Sequence, residues 1–193
     1  MKKKISDLAD IILGYSFREK LLDDMDGNIS VIQPKNISED WCADYNELVK
    51  VKQALSKTSN VLQAKDVLIT NRGRFISSMF CLKNQEVYLP TSGIFIIRIN
   101  TESVIPEYIN VFLNSTIGQK QIFNSLETTT IPFLNKTNVS EIQIPLLSIK
   151  DQKDIVEKYQ DFKKYNKLIQ DKLNIEKNIV NTYIDKMIYK GAN

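Results

Sequence analysis

Apolar residues along the first 147 positions come in short bursts, separated by polar segments that carry most of the Gly and Pro. Ile5, Leu8, Ile11 and Ile12 space themselves as a first strand or a short helical turn. Ile29 to Ile32 alternates and is closed by Pro34, which predicts a strand. Residues 41–60 fit neither period, and Val61 to Ala64 reads as a short strand or a turn. Val67 to Thr70 is rich in β-branched residues, Phe75 to Leu82 and Glu86 to Leu89 flank a turn at Lys83-Asn84-Gln85, and Ile94 to Ile99 is the strongest strand pattern in the chain. Pro106 suits the first turn of a helix, where its missing N–H costs little. Tyr108, Ile109, Phe112 and Leu113 supply that helix with an apolar face, and Asn114-Ser115 ends it. Ile117 to Leu126 predicts a second helix, Thr128 to Leu134 an extended stretch, and Asn135 to Ser140 a polar loop. Ile142 and Ile144 alternate with Gln143 as a last strand, ended by Pro145. Many short strands with a few helices define an α+β domain with a mixed sheet.

The pattern changes after Leu147. Ser148 is placed to accept from the backbone of the next turn, with Asp151 in that turn, as at a helix N-terminus. From there to Tyr189 the chain has no Gly or Pro. Ile155, Phe162, Ile169, Glu176 and Tyr183 form one seam position; Tyr159, Asn166, Leu173, Val180 and Met187 form the other. The steps alternate four and three, and eight of the ten positions are apolar. Such a helix could lie lengthwise on its own domain. At about 60 Å, however, it outruns a domain of this size. The expected division is a domain over 1–147 and a coiled-coil-type helix over 148–193, paired with another helix. Asn166 and Glu176 would either fix its register or sit at a break in the seam.

Composition removes several function classes. With 42% hydrophobic and 9% aromatic residues, the 193-residue chain can bury a real core. No apolar run reaches the length of a membrane span, and Met1-Lys2-Lys3-Lys4 precedes Ile5-Ser6-Asp7, not a signal-peptide core. There is no histidine, so His-based triads and His-ligated zinc are excluded. Asp23, Asp24 and Asp26, and Glu39 with Asp40, read as solvated turn acids. No Gly-rich phosphate loop is present. Cys42 and Cys81 have no metal spacing, and free thiols in a reducing cytoplasm are expected. Charge is uneven. Residues 48–98 hold eight basic against two acidic side chains, net +6, whereas residues 1–47 are net −4 and residues 99–149 net −2. A basic middle between acidic flanks suits a one-sided phosphate footprint.

An ordered set of motifs then carries a resemblance. Leu8-Ala9-Asp10-Ile11 with Gly14-Tyr15-Ser16-Phe17, Lys65-Asp66-Val67-Leu68-Ile69, and the Pro106 helix into Leu113-Asn114-Ser115 come first. Ile131 and Leu134, Ile142 to Leu147, and Asp151-Gln152-Lys153-Asp154-Ile155-Val156 follow. In this order and spacing the chain resembles one half of a specificity subunit of Type I restriction–modification enzymes, over nearly its full length. The resemblance implies a non-catalytic DNA-recognition subunit whose globular domain reads a half-site in the major groove. The long helix would set the distance to a second domain and dock methyltransferase subunits. S-adenosylmethionine would be bound by that methyltransferase and no cofactor by this chain, with a restriction subunit as a further candidate partner. A usual member carries two such units; this chain carries one, so either it works as a homodimer of half-subunits, the expected arrangement, or it is part of a larger system.

Candidate DNA contacts follow residue chemistry. Arg72 and Arg74 flank Gly73 just past a strand, and Arg is the commonest bidentate reader of guanine; Asn71 could serve adenine. Ser16 and Arg18 follow Gly14, while Tyr15 and Phe17 are expected in the core. Lys35, Asn36, Thr91, Ser92, Thr129 and Lys136 sit in loops with groove-compatible donors, better suited to phosphate than to bases. The partner-helix residues are Ile155, Tyr159, Phe162, Asn166, Ile169, Leu173, Val180 and Tyr183. The rival reading is a coiled-coil adaptor whose globular head binds protein.

Overall fold

Val67–Thr70 and Ile94–Ile99 are almost uninterrupted apolar runs, the mark of strands covered on both faces. The computed structural model describes residues 1–52, 59–81, 86–126 and 132–191. Its strands are β1 Lys2–Lys4, β2 Ala9–Leu13, β3 Ile29–Ile32, β4 Val49–Val51, β5 Val67–Thr70, β6 Ser77–Met79, β7 Val87–Pro90, β8 Ile94–Ile99 and β9 Gln143–Pro145. Its helices are α1 Pro106–Asn114, α2 Thr116–Ser125, α3 Lys136–Glu141 and α4 Ile149–Gly191. The two apolar runs pair at the centre of a four-stranded antiparallel sheet, ordered β2-β8-β5-β6. A three-stranded mixed sheet places β3 between antiparallel β4 and parallel β7, and β1 pairs with β9.

Leu68, Ile94 and Ile96 point into one core cluster with Ile32, Ile37, Leu62, Phe80 and Tyr88. Side chains alternate along strands, so Val67, Ile69, Phe95 and Ile97 face the other way. That second face is where α1 meets β5 and β6, bringing Tyr108, Ile109, Phe112 and Leu113. Each such buried side chain contributes about 1.5–3 kcal/mol. Among the described residues no strand extends the sheet beyond β6. There the Asn114 carboxamide accepts from the Ser77 N–H at 3.0 Å and donates to the Ser77 carbonyl at 2.7 Å, pairing the edge strand with a helix side chain.

Three local readings change. The stretch expected as a polar loop holds a helix, Lys136–Glu141, with Asn135 as its N-cap. Asn135 and Asn138 cap each other's backbone N–H groups at 2.8 and 2.9 Å, which nucleates α3. Val61–Ala64 forms no strand, and within the Phe75 stretch only Ser77–Met79 does so among the described residues. The thiol expectation is corrected as well: Cys42 and Cys81 form a disulfide, with Cα atoms 5.8 Å apart. Spacing in sequence hid the pair. A parallel bridge sets Cys42 against Met79, two residues from Cys81, and the Ala43 N–H donates to the Met79 carbonyl at 3.0 Å.

Beside the disulfide, the Tyr45 hydroxyl accepts from the Cys81 N–H at 2.6 Å, and burial pushes its pKa up to about 12. An unfolded chain releases that proton near the ordinary tyrosine value of about 10. Tyr45 therefore supports the fold fully below about pH 10 and loses that support as pH rises toward 12. In alkaline unfolding followed by circular dichroism, wild type should lose about 1–2 kcal/mol of stability more than Tyr45→Phe across this window, allowing for partial exposure.

The chain divides into one unit of Met1–Val156 and a second beginning at Glu157. The first turns of α4 belong to the first unit. The Ser148 hydroxyl accepts from the Asp151 N–H at 3.1 Å, the expected cap. Gln152 is fully buried. Its Oε1 accepts from the Ile105 N–H at 2.9 Å, and its Nε2 donates to the Ser103 and Leu147 carbonyls, each at 3.0 Å. The second unit is helix, and its seam side chains are open in the single chain: Phe162 is 56% exposed, Ile169 38%, Leu173 51% and Tyr183 64%. Tyr159 and Asn166 are half-buried, and Ile155, at the end of the first unit, is exposed. Among the described residues no helix is long and apolar enough to cross a membrane.

Candidate nucleic-acid interface

Strand directions gather the loops. β2 ends at Leu13 opposite Phe95, and β5 ends at Thr70 opposite Ile94, the first residue of β8. Parallel β3 and β7 end together at Ile32 and Pro90. Chain segments 14–18, 33–36, 71–74 and 91–93 therefore emerge at one end of the two sheets. Backbone hydrogen bonds tie them: Tyr15 N–H to the Pro90 carbonyl at 2.7 Å, Thr91 N–H to Ile32 at 2.9 Å, and Asn71 N–H to Gly93 at 3.0 Å. A fifth segment joins when the Leu134 N–H donates to the Asn71 carbonyl at 2.9 Å, bridging Arg72 to Phe133. Gly14 makes the closest approach, since a Cβ there would lie 2.1 Å from the Thr91 carbonyl oxygen.

The candidate residues divide by exposure. Ser16, Arg18, Lys35, Arg72, Arg74, Ser92 and Lys136 are exposed on these segments. Thr91 is half-buried and bridged to Tyr15. Asn36 is 4% exposed and its Oδ1 accepts from the Gln33 N–H at 2.9 Å; Asn71 is 2% exposed and its Nδ2 donates to the Ser92 carbonyl at 2.8 Å. Both amides thus hold the loops that carry their neighbours. Thr129 lies outside the described residues. Tyr15 and Phe17, expected in the core, are half-buried. Their rings meet edge to face at 4.9 Å along an open depression of about 930 Å³ that Arg18, Lys20 and Lys52 also line.

The charge blocks of the sequence do not survive folding. Arg98 belongs to the basic middle, yet it is held inside by buried Asp66 through two hydrogen bonds at 2.9 and 2.7 Å. The Asp66 hydrogen bond raises its pKa further. Lys50 pairs with Glu86 at 3.2 Å and Arg74 with Glu39 at 2.8 Å. Meanwhile Arg18, Lys35 and Lys136, from the net-acidic flanks, join Arg72 on the loop end. The turn acids behave as turns require: Asp24 accepts from the Asp26 N–H at 2.9 Å and Asp23 from the Lys50 N–H at 2.9 Å.

Sequence reasoning missed Phe133. It is 42% exposed, and the Arg72 guanidinium carbon lies over its ring, 5.2 Å from the centroid. With Asn71, Ser92 and Lys136 the pair lines a groove of about 560 Å³. A lone aromatic between Pro132 and Leu134 gives no sign of which cation it will meet.

Comparison with known proteins places this arrangement. A chain of a type I R-M system, described for its complex assembly and conformational transition, matches with a TM-score of 0.66 at 17% identity, over 91% of this chain and 42% of that one. The HsdS subunit from Thermoanaerobacter tengcongensis matches with a TM-score of 0.57 at 17% identity, over 86% of this chain and 37% of that one. The S subunit of a Type-I restriction-modification system from M. genitalium matches with a TM-score of 0.56 at 16% identity, over 85% and 39%. This chain thus spans about two fifths of the length of those chains. No curated protein matches it. Its fold, a mixed-sheet head leading into a long helix, is that of the S subunits. The family model of the Type I restriction modification DNA specificity domain matches residues 1–177, and the chain belongs to that family.

Proposed function

We propose that this chain is a DNA-reading specificity subunit without catalysis of its own, acting in the cytoplasm. Residues 1–147 would place the gathered loops in the major groove of one half-site, and residues 148–193 would serve as spacer. Two copies would pair their α4 helices antiparallel along the seam. The helix pair would dock methyltransferase subunits, which bind S-adenosylmethionine and, in the full assembly, meet a restriction subunit. The observation that carries this reading is the convergence of five segments, distant in sequence, that expose Arg18, Lys35, Arg72, Arg74 and Lys136 at one end of the sheets. Two-fold protein symmetry then demands an interrupted palindrome in the target.

Light scattering of the purified chain with a pool of random-sequence duplexes tests it. The expected result is a dimer that enriches a two-part inverted site. Were four phosphates neutralised, its affinity would fall about 150-fold between 50 and 200 mM salt. Retention of no duplex at any salt would overturn DNA reading by the chain itself. A selected site without inverted symmetry would overturn the homodimer.

A further inference from the structure

Two arginines flank Gly73, and the fold treats them differently. Gly73 has φ +71° and nothing within 4 Å of a Cβ built on it, so it is needed for the chain reversal and not for space. Past the reversal, Arg74 is drawn to Glu39 at 2.8 Å. Among the described residues Arg72 has no carboxylate partner. Its guanidinium instead lies over Phe133, and the backbone bridge between the two residues holds the ring in place. Both side chains are exposed on the loop end, on the wall of the groove shared with Ser92 and Lys136.

A free arginine loses much rotamer freedom on binding. One resting on an aromatic ring has part of that freedom removed beforehand, and its N–H edges remain available. The acceptor pair that matches this planar donor in the major groove is guanine O6 and N7. We propose that Arg72 and Phe133 together read one guanine of the half-site, the ring positioning the guanidinium and the guanidinium donating to O6 and N7. This rests on the DNA-reading function above and adds to it a base and a specificity-determining pair. Phe133 is the positioning residue; Arg72 makes the contact.

The test selects duplexes with wild type, Arg72→Ala, Phe133→Leu and Phe133→Tyr, each checked for folding by circular dichroism. It then replaces the enriched guanine with 7-deazaguanine, which lacks the N7 acceptor. Wild type should lose about tenfold in affinity on that replacement. Arg72→Ala should accept any base at the position and ignore the analogue. Phe133→Leu should lose about two- to fivefold, at guanine-containing sites only, and Phe133→Tyr should match wild type. If Arg72→Ala weakens all sequences alike and keeps the guanine, Arg72 is a phosphate contact and the proposal falls while DNA reading stands. If Phe133→Leu changes nothing, the ring has no part in it. If wild type itself retains no duplex, DNA reading fails and takes this proposal with it.

Discussion

On the proposed helix pairing, a chain carrying Phe162→Asp and Ile169→Asp together should be monomeric at concentrations where wild type dimerises, with its head still folded. In the single chain both side chains are substantially open, Phe162 at 56% and Ile169 at 38% exposure, so a carboxylate there meets solvent and costs the monomer little. The cost arises only on pairing, when each copy brings two charges into an apolar seam, at several kcal/mol in all. Light scattering measures the mass, and circular dichroism reports the head. Lys167→Asp with Asn174→Asp adds carboxylates to the same helix away from the seam and should leave the dimer intact. A double seam variant that stays dimeric would place the pairing on another face of α4.

Gln152→Met should destabilise the first unit by about 3 kcal/mol or more, although Met matches Gln closely in length. The replaced carboxamide satisfies three backbone groups of two segments: the Ile105 N–H and Ser103 carbonyl just before α1, and the Leu147 carbonyl just before α4. At full burial none of these gains water in exchange, and each orphaned group costs about 1–3 kcal/mol. Glutamate would be no substitute, since an ionised carboxylate can accept from Ile105 but cannot donate to two carbonyls. Urea unfolding with the transition midpoint as readout checks the size of the loss. A variant as stable as wild type would mean that the start of α4 is held by Val156 and its apolar neighbours instead.

The family motifs in the sequence turn out to be largely scaffold. Asp66, from the Lys65–Ile69 motif, is buried against Arg98; Asn114 clamps the edge strand; Gln152 anchors α4. Residues with such jobs keep a fixed order along the chain, which is why the fold was readable. The central strands were readable too, because burial on both faces leaves an unmistakable apolar run. Pairings between distant segments left no local trace: Lys2–Lys4 against Gln143–Pro145, Cys42 with Cys81, Arg72 over Phe133. α3 was missed because its one buried apolar residue, Val139, gives no periodicity; the Asn135–Asn138 spacing was the only signal. At the loop end, residue type suggested donors but could not separate exposed Arg72 and Ser92 from buried Asn36 and Asn71. Burial there is decided by how four loops stack, not by any one of them.

The pairing of β1 with β9 sets Lys3 opposite Ile144, a few residues before α4 begins. The chain therefore enters and leaves the head at neighbouring points, and every loop of the candidate interface lies on the excursion between them. A head built this way is a cassette. On the proposed function, exchanging its loops while the two joined strands and the helix start stay put would change sequence preference without changing spacing.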